Sequence, residues 1–345
     1  MRYLWVLAAT VAFAAPATSP IAEIGGSLET DKQGRVIGVT LGFQWVSDLE
    51  LNHVLGFKDL EKLDLSLSQV TDSGMERIAA LENIRDLNLY AVERITDAGL
   101  AYIRPWKKIE RLNLRGTDIT DTTLRYIAGL STLRALDISF TQVTNNGMEF
   151  LGGFRNLEEL HMGGNLMTGA SLHVLKLLPK LTALSLRGNQ KRNTGIWTLA
   201  MTDLDVETVA SLGQLKWLDL SGIKITDLGV SHLRKLTNLE TLDLGGTRVT
   251  ASGIEALTSL PRLQRLNLWN AKGIDDKAAP TLASMKSLTT LDLTDTSITD
   301  NALDRLAKAN QLRSIYLTGT KVTADAVARL RQSRPDCRID WVPQP

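Results

Sequence analysis

The feature that most constrains this chain is a repeat. An apolar residue inside a short alternating stretch recurs at Val39, Leu63, Leu87, Leu112, Leu136, Leu160, Leu184, Leu218, Leu242, Leu266, Leu291, Ile315 and Ile339. Successive spacings are 24 residues, with 25 at two places and 34 at one. Residues 239–260, LETLDLGGTRVTASGIEALTSL, show the unit clearly. Leu242 and Leu244 alternate as in a strand, and Ile254, Leu257 and Leu260 step by three as on a helix face. One strand plus one helix cannot bury its own apolar side, so each unit needs copies above and below. The 345 residues therefore predict one elongated α/β solenoid of about 13 coils rather than two or three globular domains.

The conserved chemistry within each unit has physical reasons. Parallel strands stack roughly 4.8 Å apart, with the two flanking leucines of LxL pointing inward. A sharp turn follows, hence Gly116, Gly222, Gly246 and Gly319. Ser68, Thr117, Thr141, Thr247, Thr296 and Thr320 form a hydroxyl column under that turn, expected to bond the backbone of the neighbouring coil as a ladder. The steps Ile95-Thr96-Asp97, Ile119-Thr120-Asp121 and Ile298-Thr299-Asp300 open helices, with Thr or Asp capping free N–H groups. Pro105, Pro179, Pro261 and Pro335 fall where helices should end, and Pro280 falls in a first helical turn. Helices are wider than strands. Packing them all on one side bends the stack right-handedly into an arc, strands concave and helices convex.

The pattern LxxLxLxxTxITDxGLxxLxxL resembles the leucine-rich repeats of secreted bacterial proteins. It is also similar to the cysteine-containing class that follows F-boxes in ubiquitin-ligase receptors, but the column that would hold cysteine carries Ser and Thr, and no F-box precedes it. The resemblance implies a right-handed leucine-rich-repeat horseshoe that binds rather than catalyses, with a protein, peptide or glycan on its concave face. An F-box-like substrate receptor is the second binding reading.

Residues 1–17 read as a secretory leader: Arg2, an apolar run, then small residues at Ala12-Phe13-Ala14 or Ala15-Pro16-Ala17. That predicts a secreted or periplasmic bacterial protein with no stable membrane insertion after cleavage. Lys plus Arg number 39 against 38 acids, and losing Arg2 leaves 38 against 38, so no nucleic-acid partner and no polybasic membrane signal is expected. The single cysteine, Cys337, excludes an internal disulfide and reads as a buried cap residue. A cap hairpin is expected over 18–35, repeats over 36–330, and a closing cap over 331–345. An insertion enters at about 190–200, where the spacing jumps, and such insertions often bind.

Three columns of strand residues are expected to face outward on the concave side. Exposed Tyr, Trp and Arg dominate interface energies. The candidate ligand-binding residues are therefore Tyr90, Arg115, His161, Arg187, Trp217 and Trp269, with Lys191, Arg192 and Trp197 from the insertion. A patch of Arg187, Trp217 and Trp269 is their expected centre. Asp137, His161 and Ser185 align on adjacent strands in the order of a catalytic triad, which keeps a hydrolase as a reading of another class. An open sheet with no oxyanion hole argues against it. His53, His173 and His232 fall on different coils, so no metal cluster is expected, and no phosphate loop or dinucleotide turn calls for a cofactor.

Overall fold

A computed structural model describes residues 19–42, 45–188 and 200–343. The leader, and Lys191, Arg192 and Trp197 of the insertion, lie outside the described residues. The described residues form one 14-stranded sheet in sequence order. The strands are β1 (Ser27–Thr30), β2 (Val36–Thr40), β3 (Lys62–Asp64), β4 (Asp86–Asn88), β5 (Arg111–Asn113), β6 (Ala135–Asp137), β7 (Glu159–His161), β8 (Ala183–Ser185), β9 (Trp217–Asp219), β10 (Thr241–Asp243), β11 (Arg265–Asn267), β12 (Thr290–Asp292), β13 (Ser314–Tyr316) and β14 (Arg338–Asp340). Strand β1 pairs antiparallel with β2, and every later neighbour is parallel with the central apolar residue of one coil opposite that of the next. The result is an open right-handed solenoid with strands on the concave face and helical segments on the convex one.

The paired leucines of each coil, such as Leu63 with Leu65 and Leu242 with Leu244, are fully buried in one continuous apolar core. The convex segments are short. They range from three-residue 3-10 turns at Leu233–Lys235 and Asp276–Ala278 to the ten-residue helix Ala324–Ser333, with longer 3-10 segments at Gly147–Gly153 and Gly169–Leu177. Helices this short do not stand by themselves in water, so packing against the coils on either side carries them. Pro280 occupies the first turn of Ala279–Ser284. In the last coil Arg334 is buried and donates to the carbonyls of Ala309 (2.6 Å) and Leu312 (2.7 Å) of the coil before it, as Gln311 does to Ala283 and Met285 one coil earlier.

Two expectations about polar groups need correction. The hydroxyls of the threonine column do not bond the backbone of the neighbouring coil; only that of Thr141 reaches the neighbour at all, at the Asn165 side chain (3.3 Å). Thr117, Thr247, Thr296 and Thr320 each donate to a carbonyl three residues back in their own coil, at 2.6 Å, and Thr141 does the same at 2.8 Å. The hydroxyl closes its own turn because that turn strips a carbonyl of its partner. Only Asn165, standing in the same column, reaches across, to Thr141 N and Ile138 O. The turn above it holds a left-handed residue in ten coils. Five are glycines, including the four expected, but Leu67, Ala91, Phe140, Asn270 and Asp295 adopt the same φ of 54° to 58°.

The polar ladder between coils is made by the aspartates instead. Each Thr of the helix-opening step caps its own helix. The Asp at the next position, which follows Ser47 at Asp48 and Asp275 at Asp276 in place of Thr, turns to the next coil, accepting both the backbone N–H and the hydroxyl of the next Thr. This holds for Asp48 with Thr71, Asp72 with Thr96, Asp97 with Thr120, Asp121 with Thr144, Asp203 with Thr226, Asp227 with Thr250, Asp276 with Thr299 and Asp300 with Thr323. Glycines follow from this. A Cβ at Gly74, Gly99, Gly229 or Gly253 would run into the preceding coil's carboxylate. Where Asn145 replaces the acid, its amide makes the rung to Thr168, but where the position holds Gly169 or Ala251 no rung forms. Gly169 is followed by Thr202, which bonds Asp205 of its own helix, and Ala251 is followed by Asp275 in place of Thr.

Asp97 carries the fullest rung, accepting from Thr120 N (3.0 Å), Thr120 Oγ1 (2.6 Å), Thr123 N (3.0 Å) and Thr123 Oγ1 (2.5 Å). Burial opposes its charge, but those donors outweigh burial and hold its carboxyl below the usual range. Asp97→Ala should lower stability by about 2 to 3 kcal/mol at neutral pH, because it strands shielded donors. Asp118→Ala, at an exposed site, should stay within about 0.5 kcal/mol. A depressed carboxyl stabilises above its unfolded value, near pH 4, and that stability is lost as pH falls through the lower folded value. Urea melts should therefore show the penalty of Asp97→Ala shrinking in acid. A constant penalty across that range would be inconsistent with the rung.

Candidate functional site

The concave face carries three side-chain columns, one residue per strand. They are less exposed than the alternation predicts. The central column is mostly half-buried, and Ser185 and Asp219 are buried. One cause is that the carboxylates and amides of this column fold back onto the chain. Asp64, Asn113, Asp137, Asp219 and Asp243 each accept the N–H two residues on. A groove of about 570 Å³ runs across β1 to β7, with Glu29, Lys62, Asp86, Arg111, Asp137 and Glu159 among its lining. Its cations are already engaged, Lys62 with Glu29 at 2.8 Å and Arg111 with Glu159 at 3.4 Å.

His161 sits at the end of this groove. Its Nε2 lies 2.7 Å from Glu159 Oε1, and its ring packs against Trp217, centroids 5.5 Å apart. Glu159 and Trp217 are in register through Ala183, whose small side chain leaves room for the rings to meet. Burial works against a charged His161, but the hydrogen bond to Glu159 and the nearby Asp137 and Asp219 outweigh it, so its pKa is raised. Glu159 is correspondingly lowered by its bond to His161. The aligned Asp137, His161 and Ser185 do not form a triad. Ser185 donates to Asp219 at 3.0 Å, and the imidazole is engaged by Glu159. That arrangement offers no activated nucleophile.

The expected patch of Arg187, Trp217 and Trp269 is divided. Trp217 is half-buried against His161, toward the N-terminal coils. Trp269 is 37% exposed and donates its Nε1–H to Asp295 at 3.1 Å, in the next coil toward the C-terminus. Tyr90 and Arg115, by contrast, do come together. The Arg115 guanidinium lies 5.7 Å from the Tyr90 ring and 4.6 Å from Phe140, a residue that strand alternation did not single out because it sits in the turn. Asp243 was also passed over as ordinary. Burial raises its carboxyl to about 6; the Gly245 N–H works against this, Asp219 beside it adds to it, and Asn267 and Arg187 oppose it. Cys337 is buried, and burial raises its thiol, which fits an inert cap residue.

Two family models described as leucine rich repeat match the chain, one at residues 131–190 and 213–270, the other at 58–79 and 284–307. The chain is a leucine-rich repeat protein. Both models carry the general description, and neither is described as the cysteine-containing class. Solved structures agree in fold. An internalin from Listeria monocytogenes superposes with a TM-score of 0.58 at 17% identity, covering 94% of each chain. A leucine-rich repeat protein of Leptospira interrogans gives 0.52 at 20% identity, over 84% of this chain and 74% of that one. A chain of the mouse RP105/MD-1 complex gives 0.55 at 18% identity, over 84% of this repeat protein and 47% of that chain. No curated protein sequence matches it. Among the described residues no His, Cys, Asp and Glu group could hold a metal ion, and no helix is long and apolar enough to cross a membrane.

Two titrations follow. A raised histidine stabilises below its unfolded value, about 6.5, and loses that stability as pH rises through the folded value. Glu159→Gln should lower the His161 midpoint seen by NMR, whereas an unchanged midpoint would mean that Glu159 does not hold the proton. Asp243 behaves oppositely to Asp97. Its raised carboxyl reduces stability as pH climbs from about 4 to about 6. Asp243→Asn should therefore add about 1 to 3 kcal/mol at neutral pH and nothing near pH 4 in paired melts.

Proposed function

We propose that this leucine-rich repeat protein is a non-catalytic binding scaffold of the bacterial envelope or exterior. Its concave face takes a protein, peptide or glycan. The observation that carries the reading is the face itself: a groove of about 570 Å³ and, outside its lining, the exposed side chains of Tyr90, Arg187 and Trp269. Large amphipathic side chains on a water-facing sheet supply contact area at low entropic cost. The RP105 neighbour is seen in a complex, which fits the same use of the fold. The leader-like residues 1–17 support export. The bonding of Ser185 and His161 supports a role without catalysis.

A photo-crosslinking residue placed at Lys62 or Arg265, both exposed on the concave side, should trap partner molecules from native envelope. The same probe at Glu255, exposed on the helical side, should not. A Trp217→Ala/Trp269→Ala double variant should recover less of the same partner. Adducts confined to Glu255, or equal recovery by the double variant, would remove this reading.

A further inference from the structure

Arg115 stands on the rim column of the concave face, between two aromatic rings. Tyr90 flanks it at 5.7 Å and Phe140 at 4.6 Å from their centroids. Phe140 occupies a left-handed turn position, φ 56°, where five other coils place glycine. A bulky side chain is strained there. Its ring rests on Gly164 of the next coil, where any Cβ would collide with it. The Phe140 coil thus carries a ring at a turn position that five other coils give to glycine, and that ring lies against one guanidinium. Stacking fixes the plane of that guanidinium and leaves its N–H edges directed away from the rings. Among the described residues no hydrogen bond or ion pair reaches the Arg115 guanidinium; its bonds are those of the backbone, the N–H to Asn113 and the carbonyl from the Ala91 N–H.

The same column supplies a second cation. Arg187 is exposed and likewise has no hydrogen-bond or ion-pair partner among the described residues, although its charge reaches Asp243. Between the two arginines the column holds only Ser139 and Gly163, both buried and small. Arg115 follows β5 and Arg187 follows β8, three strand steps apart, or about 14 Å at the spacing of stacked strands. An extended peptide rises about 3.3 Å per residue and turns alternate side chains to one side, so four residues cover that span with both ends facing the same way.

We infer that Arg115 and Arg187 form a two-point receptor for a protein segment carrying two carboxylates, with acidic residues at positions i and i+4 in extended form. Arg115, held flat by its rings, grips one carboxylate bidentately through paired N–H groups. Arg187 receives the other, and the Ser139–Gly163 floor gives the peptide backbone room to lie flat. The groove takes up the other two columns across β1 to β7, and its Lys62 and Arg111 are already paired with acids. The inference rests on the concave-face reading for its place and goes beyond it in naming the ligand chemistry.

The test uses the full chain and fluorescent, end-blocked peptides followed by anisotropy. A peptide with glutamates at i and i+4 should bind about tenfold tighter than its glutamine counterpart, and tighter than one with glutamates at i and i+3. Arg115→Lys keeps the charge and loses the planar fork. It should weaken the i,i+4 peptide to the level of the glutamine control, with an unchanged thermal melt. Phe140→Leu should do the same in part. Equal binding of all three peptides overturns the inference, as does wild-type affinity in Arg115→Lys. Tighter binding of inorganic phosphate than of the diglutamate peptide also overturns it. If no diglutamate peptide binds while the concave-face crosslinks persist, the inference fails and the scaffold reading stands. Loss of both removes the scaffold reading itself.

Discussion

A carboxylate that serves the coil after its own is the contact on which this solenoid depends. Apolar stacking supplies the driving force, since every coil's leucines need covering above and below. Apolar contact is non-directional, however, and would tolerate coils that slide or rotate. The Asp-to-Thr rung fixes phase. It joins the start of one helix to the start of the next, at the point where free N–H groups demand acceptors. The register of the strands, the rise of the helices and the glycine beside five of the eight carboxylates all follow from that one bond pattern.

The fold was legible because its signal is periodic and redundant. Thirteen spaced apolar residues leave little else for the chain to do. The polar detail was less legible. Thr117 and Thr120 are the same residue type three positions apart, yet one closes its own turn and the other is held by the previous coil. Nothing local separates them; the difference lies in which neighbour stands within reach. Comparing coils would have helped. The position after Thr holds no polar acceptor at Gly169 and Ala251, and the following cap changes at Thr202 and Asp275, which is the mark of a contact between coils.

The site was legible by residue type and not by partnership. Tyr, Arg and Trp on the concave columns were visible from alternation alone. Which of them meet was not, because side chains lean along the stack by distances larger than one strand step. Trp217 reaches His161 over Ala183, while Trp269 leans the other way toward Asp295. Phe140 escaped notice for a different reason. Strand periodicity stops at the turn, and an aromatic there reads as irregular until its ring is seen against Arg115.

The one-way sense of the carboxylate rungs gives the molecule a polarity that its repeated shape conceals. Wherever a rung forms, the coil receives its acceptor from the coil nearer the N-terminus; the series is interrupted at Thr202 and Asp275. The opening coil relies on Ser47 and Glu50 of its own, and Asp300 serves the last Thr of the series, at Thr323. A ribosome releases the chain in that same order, so each emerging coil meets an acceptor already in place. Trimming coils from the C-terminal end leaves only spare carboxylates, which water readily solvates. Trimming from the N-terminal end strands donors that the remaining chain shields from water.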